Sequence, residues 1–329
     1  MTLHERRPDD WLEFRNESSG AHWPLVGEDA RLFRSPSSGK IWINWCSRHG
    51  LEEGPKKLVH FYYGELKAVD PTTNYKNLTE SLYVAWPPFA ASARHESSPR
   101  DQKNWPIFEY EGVLLFIARI HPLRVVSTAA VPFSPLSEDD SKGKTVFAHT
   151  ISLTASPNYC WNWGEPRGGT PALLVGGEYL AFFHSFTFMN SRIVRTYFVG
   201  AYTFSAAPPF RLTSMSRFPI VAPGWTQGFT YADIDFVPYP MSFTYDDRHV
   251  NMSHGWEEGE GWLLTMDRKA LFESLVRLDS VVLGECDRHW DWHTHGSPHE
   301  TFQYRPDWHD WCIRYGGSKN CANIWRRKV

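Results

Sequence analysis

Residues 27–47 read GEDARLFRSPSSGKIWINWCS, and this stretch predicts the basic unit of the fold. Residues 30–33 form a strand-like stretch, and residues 41–45 are rich in Ile and Trp, which are favoured in β-strands. A polar segment containing Gly39 separates the two runs, and such connections are typical of β-hairpins. The stretch therefore predicts an antiparallel hairpin whose first strand begins beside two carboxylates.

Three later segments repeat this design, with turns expected at Gly112, Gly177 and Asp247. Counted from Gly39, successive turns lie 73, 65 and 70 residues apart, which leaves room for four strands and their loops in each interval. This spacing favours a β-propeller over a β-sandwich, where turns recur about every 8–12 residues. Sustained helical periodicity is limited to residues 267–278, so we predict a mainly β chain with one short helix.

Composition excludes several functional classes. The 329 residues include 34 basic and 37 acidic side chains, for a formal net charge of −3, so nucleic acid and anionic membranes are not expected partners. Apolar runs are far shorter than the roughly 18 residues of a membrane-spanning helix. Residues 1–10 lack the apolar core of a signal peptide, so we expect a cytoplasmic location by default, with the secretory pathway as the alternative.

Aromatic residues and cysteines are informative in different ways. Phe, Trp and Tyr make up 16% of the chain, a composition that suits the cores of β-sheets and also the binding of sugar rings. The five cysteines contain no pair separated by two residues, so we expect mostly free thiols in the core.

The start of the first hairpin carries the main candidate for chemistry. Glu28, Asp29 and Arg31 place two carboxylates and a guanidinium at the head of a strand. In a propeller, this position allows side chains to point into the central funnel. The same three residues are also compatible with an ordinary structural ion pair.

Five segments resemble, in order, the motifs of glycoside hydrolase family 130, the β-mannoside phosphorylases, and of their mannosyltransferase relatives. Residues 27–47 are similar to the family signature of Glu-Asp-Pro-Arg, an alternating strand, Gly-Lys and an aromatic strand. The other matches are residues 101–108, residues 168–171 with 179–184, residues 197–204 with 208–210 and 219–220, and residues 238–241 with 252–258.

The resemblance implies an all-β, five-bladed β-propeller with its active site in the central cavity. Only residues 1–26 precede the first motif, fewer than in the family, so we expect a shortened first blade. Residues 1–284 would form the carbohydrate-active propeller. Residues 285–329 would form a short, irregular extension, rich in His and Trp, that packs on it.

The resemblance also implies an inverting displacement on a mannoside or oligosaccharide substrate. Inorganic phosphate, or a sugar in the transferases, attacks the anomeric carbon while one carboxylic acid protonates the departing oxygen. The motifs place this acid at Asp29 and imply no metal and no cofactor other than phosphate as a co-substrate. Substrate or phosphate binding is assigned to Glu28, Arg31, Lys103, Asn104, Arg167, His184, Tyr239, His254 and Glu258.

Departures from the family pattern leave two alternatives open. Ala30 replaces the proline of the signature, and residues 120–124 lack the Arg-Pro pair that follows the second motif in many phosphorylases. An inverting hydrolase of the same fold would need a second carboxylate to activate water, with Glu257 or Glu258 as the candidates. Inverting glycosidases hold the two carboxyl groups roughly 6.5–9.5 Å apart. The second alternative is a non-catalytic propeller that binds glycans through Trp and Tyr.

The amino-acid composition changes from residue 285 onward. Four histidines, His289, His293, His295 and His299, alternate there with Trp and acidic residues. Imidazoles three to five residues apart are able to bind zinc or copper. We favour the simpler interpretation, an extension that covers one end of the propeller.

Overall fold

The computed structural model describes part of the chain and divides it into two compact units. The first comprises Met1–Phe116 and Val126–Ile151, and the second comprises Ile117–Val125 and Ser152–Val329. The described residues are 13–15, 22–24, 28–47, 60–68, 82–85, 89–92, 104–127, 144–147, 149–156, 159, 161, 163–189, 194–221, 234–235, 238–256 and 260–279.

Most of the described residues are in β-strands. In chain order to residue 154, the strands are β1 (Glu13–Arg15), β2 (His22–Pro24), β3 (Glu28–Arg34), β4 (Ile41–Ser47), β5 (His60–Ala68), β6 (Leu82–Ala85), β7 (Phe89–Ser92), β8 (Ile107–Tyr110), β9 (Val113–Arg119), β10 (Leu123–Ser127), β11 (Lys144–Phe147) and β12 (His149–Thr154). The division between the two units passes through β9, β10 and β12.

The remaining elements belong to the second unit. They are β13 (Arg167–Gly168), β14 (Leu173–Val175), β15 (Glu178–Met189), β16 (Val194–Ser205), β17 (Leu212–Ser216), β18 (Ile234–Asp235), β19 (Pro238–Tyr245), β20 (His249–Trp256), β21 (Glu260–Asp267), helix α1 (Arg268–Ser274) and β22 (Leu275–Arg277).

An eight-stranded sheet dominates the first unit. Its main path runs β11-β7-β5-β6-β1-β2, while β4 pairs with both β3 and β5. The β3–β4 hairpin closes through hydrogen bonds from the Ser35 amide to the Lys40 carbonyl (2.8 Å) and from the Gly39 amide to the Ser35 carbonyl (2.9 Å). Gly39 has φ +70°, a conformation that glycine adopts without steric cost, which confirms the predicted turn.

A second predicted hairpin, β8–β9, also forms. Its register runs from Ile107 opposite Phe116 to Tyr110 opposite Val113. The two turn residues, Glu111 (φ +50°) and Gly112 (φ +77°), are both left-handed, as two-residue hairpins of this kind require.

Two long strands form the centre of the second unit. β15 and β16 pair in uninterrupted register from Glu178 opposite Ser205 to Met189 opposite Val194. They belong to a seven-stranded sheet with the path β13-β15-β16-β17-β22, to which β14 and β18 add at β15 and β16. The predicted turn at Gly177 is confirmed, with φ +63° at Gly176 and +90° at Gly177.

A three-stranded sheet, β19-β20-β21, completes the second unit. Its first turn uses a side chain, since Asp246 Oδ1 accepts hydrogen bonds from the Arg248 and His249 amides, both 2.7 Å. These bonds stabilise the carboxylate and lower the pKa of Asp246 below its usual value. Buried residues of this sheet, including Phe243, Val250 and Met252, pack with Leu180, Phe182 and Leu271 in one apolar cluster.

The predicted helix is present but shorter than the segment 267–278. Asp267 caps its start, where Oδ1 accepts a hydrogen bond from the Ala270 amide at 2.7 Å. The helix ends at Ser274 because the chain then extends as β22, which pairs with β17. Competition from sheet pairing therefore decides where the helix ends.

The mainly β prediction is confirmed, while the number of blades stays a prediction because none of the sheets closes on itself within the described residues. The predicted boundary at residues 284/285 and the histidine-rich extension lie outside the described residues.

In the described part of the chain, no helix has the length and apolar character needed to span a membrane. Cys46 in β4 is buried, and the other four cysteines lie outside the described residues.

Candidate functional site

Asp29 occupies a distorted position at the head of β3. The register passes from Glu28 opposite Cys46 to Arg31 opposite Asn44, so β3 holds one more residue than β4 across this interval. This extra residue is a β-bulge, a feature that bends a strand and redirects side chains. Asp29 lies within it with φ +60°, an uncommon conformation for a residue with a Cβ atom, and its side chain is partly exposed.

Arg31 connects this bulge to the segment before β8. The residue is 1% exposed. Its Nη1 donates a hydrogen bond to the Asp29 carbonyl oxygen at 2.7 Å, and its Nη2 donates to Asn104 Oδ1 at 3.0 Å. Asn104 is itself buried and left-handed, with φ +61°. One buried guanidinium therefore donates hydrogen bonds to two residues that share this uncommon conformation.

A second hydrogen bond supports this segment. Asn44 in β4 donates from Nδ2 to the Trp105 carbonyl oxygen at 3.3 Å. Trp105 is buried, as are Ile107 and Phe108 immediately after it. Apolar packing and two side-chain hydrogen bonds thus fix the residues around Asn104.

Three of the residues predicted to bind substrate lie partly or wholly outside the described residues. The backbone of Glu28 is in β3, but its side chain lies outside the described residues, as do Lys103 and Glu258. Glu257, the other candidate base of the hydrolase alternative, is also outside them. Their roles stay predictions.

In the second unit, His184 is the centre of a cluster of aromatic rings. It lies in β15 and is 3% exposed. Its imidazole centroid is 4.5 Å from the ring of Tyr239 in β19 and 6.2 Å from the ring of Tyr197 in β16. The structure thus brings together two residues that the motifs assigned to binding, His184 and Tyr239.

Arg167 lies beside His184. The two residues are directly opposed in the antiparallel β13–β15 pair, an arrangement that puts both side chains on one face of the sheet. The guanidinium carbon of Arg167 is 4.9 Å from the ring centroid of Phe186, and Nη2 is 3.7 Å from Glu165 Oε2. Arg167 is exposed, so this cation is accessible to a solvated anion.

Gly169 permits the close approach of β19 to β15. A Cβ atom at this position would lie 2.7 Å from both the Phe182 carbonyl oxygen and Pro240 Cγ. Real Cβ atoms essentially never approach so closely. Thr170 fixes the same place, since its amide donates to the Phe182 carbonyl at 3.0 Å and its Oγ1 accepts from the Phe182 amide at 2.9 Å.

His254 is a second buried imidazole of this unit. It lies in β20 opposite Pro240 and is 4% exposed, and its Nδ1 is 3.3 Å from the Gly255 carbonyl oxygen. Burial lowers its pKa below the ordinary value of 6.5, with the Gly255 hydrogen bond opposing this shift. The neutral ring is therefore favoured, and a neutral imidazole both donates and accepts hydrogen bonds.

Sequence reasoning missed Tyr197 and Gly169 as parts of this cluster. Both were within motif segments, but neither residue type indicates a role by itself. The register of the β15–β16 hairpin would have identified Tyr197 as a neighbour of His184. Tyr197 pairs with Phe186, which is two residues from His184 along β15. Within the described residues, no group of three or more His, Cys, Asp or Glu side chains is arranged to hold a metal ion.

Several solved structures that resemble this chain are of glycoside hydrolase or mannoside phosphorylase type. A protein from Bacteroides ovatus, provisionally described as a glycoside hydrolase, is 11% identical, with a TM-score of 0.47 over 80% of this chain and 72% of that one. The β-1,2-mannobiose phosphorylase from Listeria innocua is 14% identical, with a TM-score of 0.46 over 76% of this chain and 61% of that one.

A third such structure belongs to the GH130 family of mannoside phosphorylases, which contains glycoside hydrolases that target β-1,2 mannosidic linkages in Candida mannan. It is 14% identical, with a TM-score of 0.44 over 75% of this chain and 67% of that one. No protein-family model matches the chain, and no curated protein does. The family that the motifs resemble is thus represented among these structures, but similarity at this level carries no reaction or substrate to this chain.

Proposed function

We propose that this chain is a carbohydrate-active enzyme that makes or breaks β-mannosidic bonds by inverting displacement on a five-bladed β-propeller. The observation that carries the proposal is the backbone of Asp29. Asp29 lies at a bulge in a left-handed conformation, and its carbonyl oxygen accepts a hydrogen bond from a buried guanidinium. The backbone therefore sets the direction in which the side chain leaves the strand before any substrate binds. Strained backbone of this kind concentrates at functional sites.

In the proposed reaction, Asp29 acts as the proton donor. In phosphorolysis, an oxygen of inorganic phosphate forms a bond to the anomeric carbon as the bond to the departing oxygen breaks. The Asp29 carboxyl proton moves to that oxygen, which leaves as a hydroxyl, and the carboxylate remains. For a hydroxyl of an acceptor sugar, the step runs in reverse: the hydroxyl attacks the anomeric carbon of a sugar phosphate, its proton moves to the Asp29 carboxylate, and phosphate departs. One protein carboxyl is enough for phosphate, since this nucleophile is already an anion.

The second unit supports the proposal with groups suited to sugars and anions. Arg167 and His184 are cross-strand neighbours, and cationic and imidazole donors side by side suit a phosphate or a row of hydroxyls. The Tyr239 ring beside His184 offers an apolar face of the kind that packs on a sugar ring. Lys103, Asn104, His254, Glu28 and Glu258 keep the binding roles that the motifs assign to them.

Product analysis tests the proposal. The protein is incubated with β-1,2-, β-1,3- and β-1,4-mannobiose, each with and without inorganic phosphate. Mannose 1-phosphate formed only with phosphate identifies a phosphorylase, and transfer to an added sugar identifies a transferase. Free mannose released without phosphate identifies the hydrolase alternative, and binding without turnover identifies a glycan-binding protein.

Substitution of Asp29 tests the assigned acid. We expect Asp29→Asn to lower kcat by about 10²–10⁴, the usual contribution of a general acid. The matched control is Glu65→Gln, which removes a carboxylate in the same unit whose partner is Lys40 at 3.0 Å, a surface ion pair. Full activity in Asp29→Asn would remove Asp29 from the mechanism.

A further inference from the structure

Arg31 has a place in the structure that differs from the binding role its motif assigns. A residue that contacts substrate needs donor atoms directed at the ligand, yet Arg31 is 1% exposed. Its Nη1 and Nη2 donate to oxygens of Asp29 and Asn104 at 2.7 and 3.0 Å. These donors therefore already bind the protein itself.

The two acceptors share a conformation that few residues adopt. Within the described residues, only Asp29, Asn104, Glu111 and Phe210 have positive φ without being glycine. Glu111 belongs to a hairpin turn that requires this conformation, whereas Asp29 lies in a bulge. A left-handed residue with a Cβ atom persists when its surroundings overdetermine it, and Arg31 joins two such residues that are 75 positions apart in sequence.

Guanidinium chemistry suits this task. The group stays charged at every physiological pH, is planar, and presents its donors in a fixed fork. A hydrogen bond from a charged donor is about twice as strong as one between neutral groups. Lysine would supply the charge but only a single nitrogen, so it would not span both oxygens in the same geometry.

We propose that Arg31 is a positioning residue that holds Asp29 and Asn104 in their left-handed conformations and so fixes the direction of the Asp29 carboxyl group. This inference deepens the proposed function and rests on it for the role of Asp29. The conformational part, that Arg31 maintains both left-handed residues, rests on its hydrogen bonds to the Asp29 carbonyl oxygen and the Asn104 side-chain oxygen and does not depend on the proposed function.

Kinetics of two variants separate positioning from substrate binding. In Arg31→Met, we expect kcat to fall about 100-fold with KM within about twofold, because a reacting group displaced by about 1 Å loses about this much rate. In Arg31→Lys, which keeps the charge and is the more conservative change, we expect about a tenfold fall in kcat. A binding role would instead raise KM and leave kcat unchanged, and that result would overturn the proposal.

Ser35→Ala is the matched control. Ser35 is also buried, immediately after β3, and its Oγ donates to Glu109 Oε2 in β8, so it links the other end of this strand to the same part of the chain. Its loss should lower the thermal unfolding temperature while leaving kcat and KM as in the wild type. An equal fall in kcat in Ser35→Ala and Arg31→Lys would show that any loosening of this hairpin suffices, which would also overturn the proposal.

A structural readout decides the conformational part without any activity. The backbone chemical shifts of residues 29 and 104, or a crystal structure of Arg31→Lys, report whether both φ values remain near +60°. We expect at least one of them to leave the left-handed region in Arg31→Lys and both to remain in Ser35→Ala. Retention of both in Arg31→Lys and Arg31→Met would refute the proposal. An inactive wild-type protein would refute the proposed function alone, since this readout would still decide the role of Arg31.

Discussion

The two clusters of candidate residues, one in each unit, are built on opposite principles. Around Asp29, the strand register breaks, two residues are left-handed, and a buried guanidinium donates a hydrogen bond to each of them. Around His184, the register is unbroken over twelve pairs and the side chains meet because regular strands place them on one face. The first arrangement suits a group that must point in one direction, and the second suits a surface that binds a ring or an anion.

The difference predicts how each cluster responds to substitution. Changes in the first should act through backbone conformation, so glycine and alanine at the same position should differ. Changes in the second should act through packing and side-chain chemistry, with small effects at its exposed edge.

The largest effect on stability is expected at Asn104. Alanine there loses the hydrogen bond from the buried Arg31 and keeps an unfavourable φ of +61°, and together these cost about 2–4 kcal/mol of unfolding free energy. Asn104→Gly loses the same bond but adopts the conformation freely, so it should be more stable than Asn104→Ala by roughly 1 kcal/mol. Denaturant unfolding measures both. Equal losses would mean that the left-handed backbone stores no strain.

A smaller loss is expected at Gly169, which tests packing in the second cluster. The added Cβ of Gly169→Ala would meet the Phe182 carbonyl and Pro240 at 2.7 Å, and such overpacking costs about 1–3 kcal/mol. Gly261→Ala in β21 is the control, because its Cβ would meet no atom within 4 Å. If thermal unfolding shifts alike in both variants, β19 does not depend on close approach at Gly169.

These positions also show what could be predicted from the sequence. Gly39, Gly112 and Gly177 mark hairpins because a strand-like stretch on either side of a glycine turn is a local signal, and all three turns form. The bulge at Asp29 and the burial of Arg31 depend on Asn104, which is 75 positions away from Asp29, so no local pattern reports them. The sequence therefore singles out Asp29, Arg31 and Asn104 as candidates, but it does not predict that the Arg31 donors bind oxygens of the protein itself.

In the second cluster, the limit was register. To predict that Arg167 pairs with His184, or Phe186 with Tyr197, one must know the position of the connecting turn to within one residue. The motifs selected His184 and Tyr239 separately, and their contact depends on the packing of β19 beside β15, which no local pattern reports.

A pH-dependent effect is expected from His254. Its pKa in the folded protein lies below 6.5, so the unfolded chain binds a proton at higher pH than the folded protein does. The stability contributed by the neutral ring is thus fully present above about pH 6.5 and is lost as the pH falls through the folded-state pKa. Unfolding free energies measured from pH 7.5 downward should fall less steeply in His254→Gln. Identical slopes would show that this imidazole does not titrate differently on folding.

The smallest effect on stability is expected at Arg167. Its contacts with Phe186 and Glu165 are exposed, so Arg167→Gln should change the unfolding free energy by less than about 1 kcal/mol. If Arg167 binds the nucleophile, KM for phosphate should nevertheless rise several-fold. An unchanged KM would leave Arg167 as a surface residue.

The central claim, that Asp29 donates a proton to the departing oxygen, is tested most directly by varying the leaving group. A dinitrophenolate leaves without protonation, whereas a sugar alkoxide does not. We predict that Asp29→Asn lowers kcat/KM more than 100-fold on a β-mannobiose but less than about tenfold on 2,4-dinitrophenyl β-mannoside. Equal losses on both substrates would contradict this claim. If Asp29 supplied no proton, its substitution would lower kcat/KM by the same factor for both leaving groups.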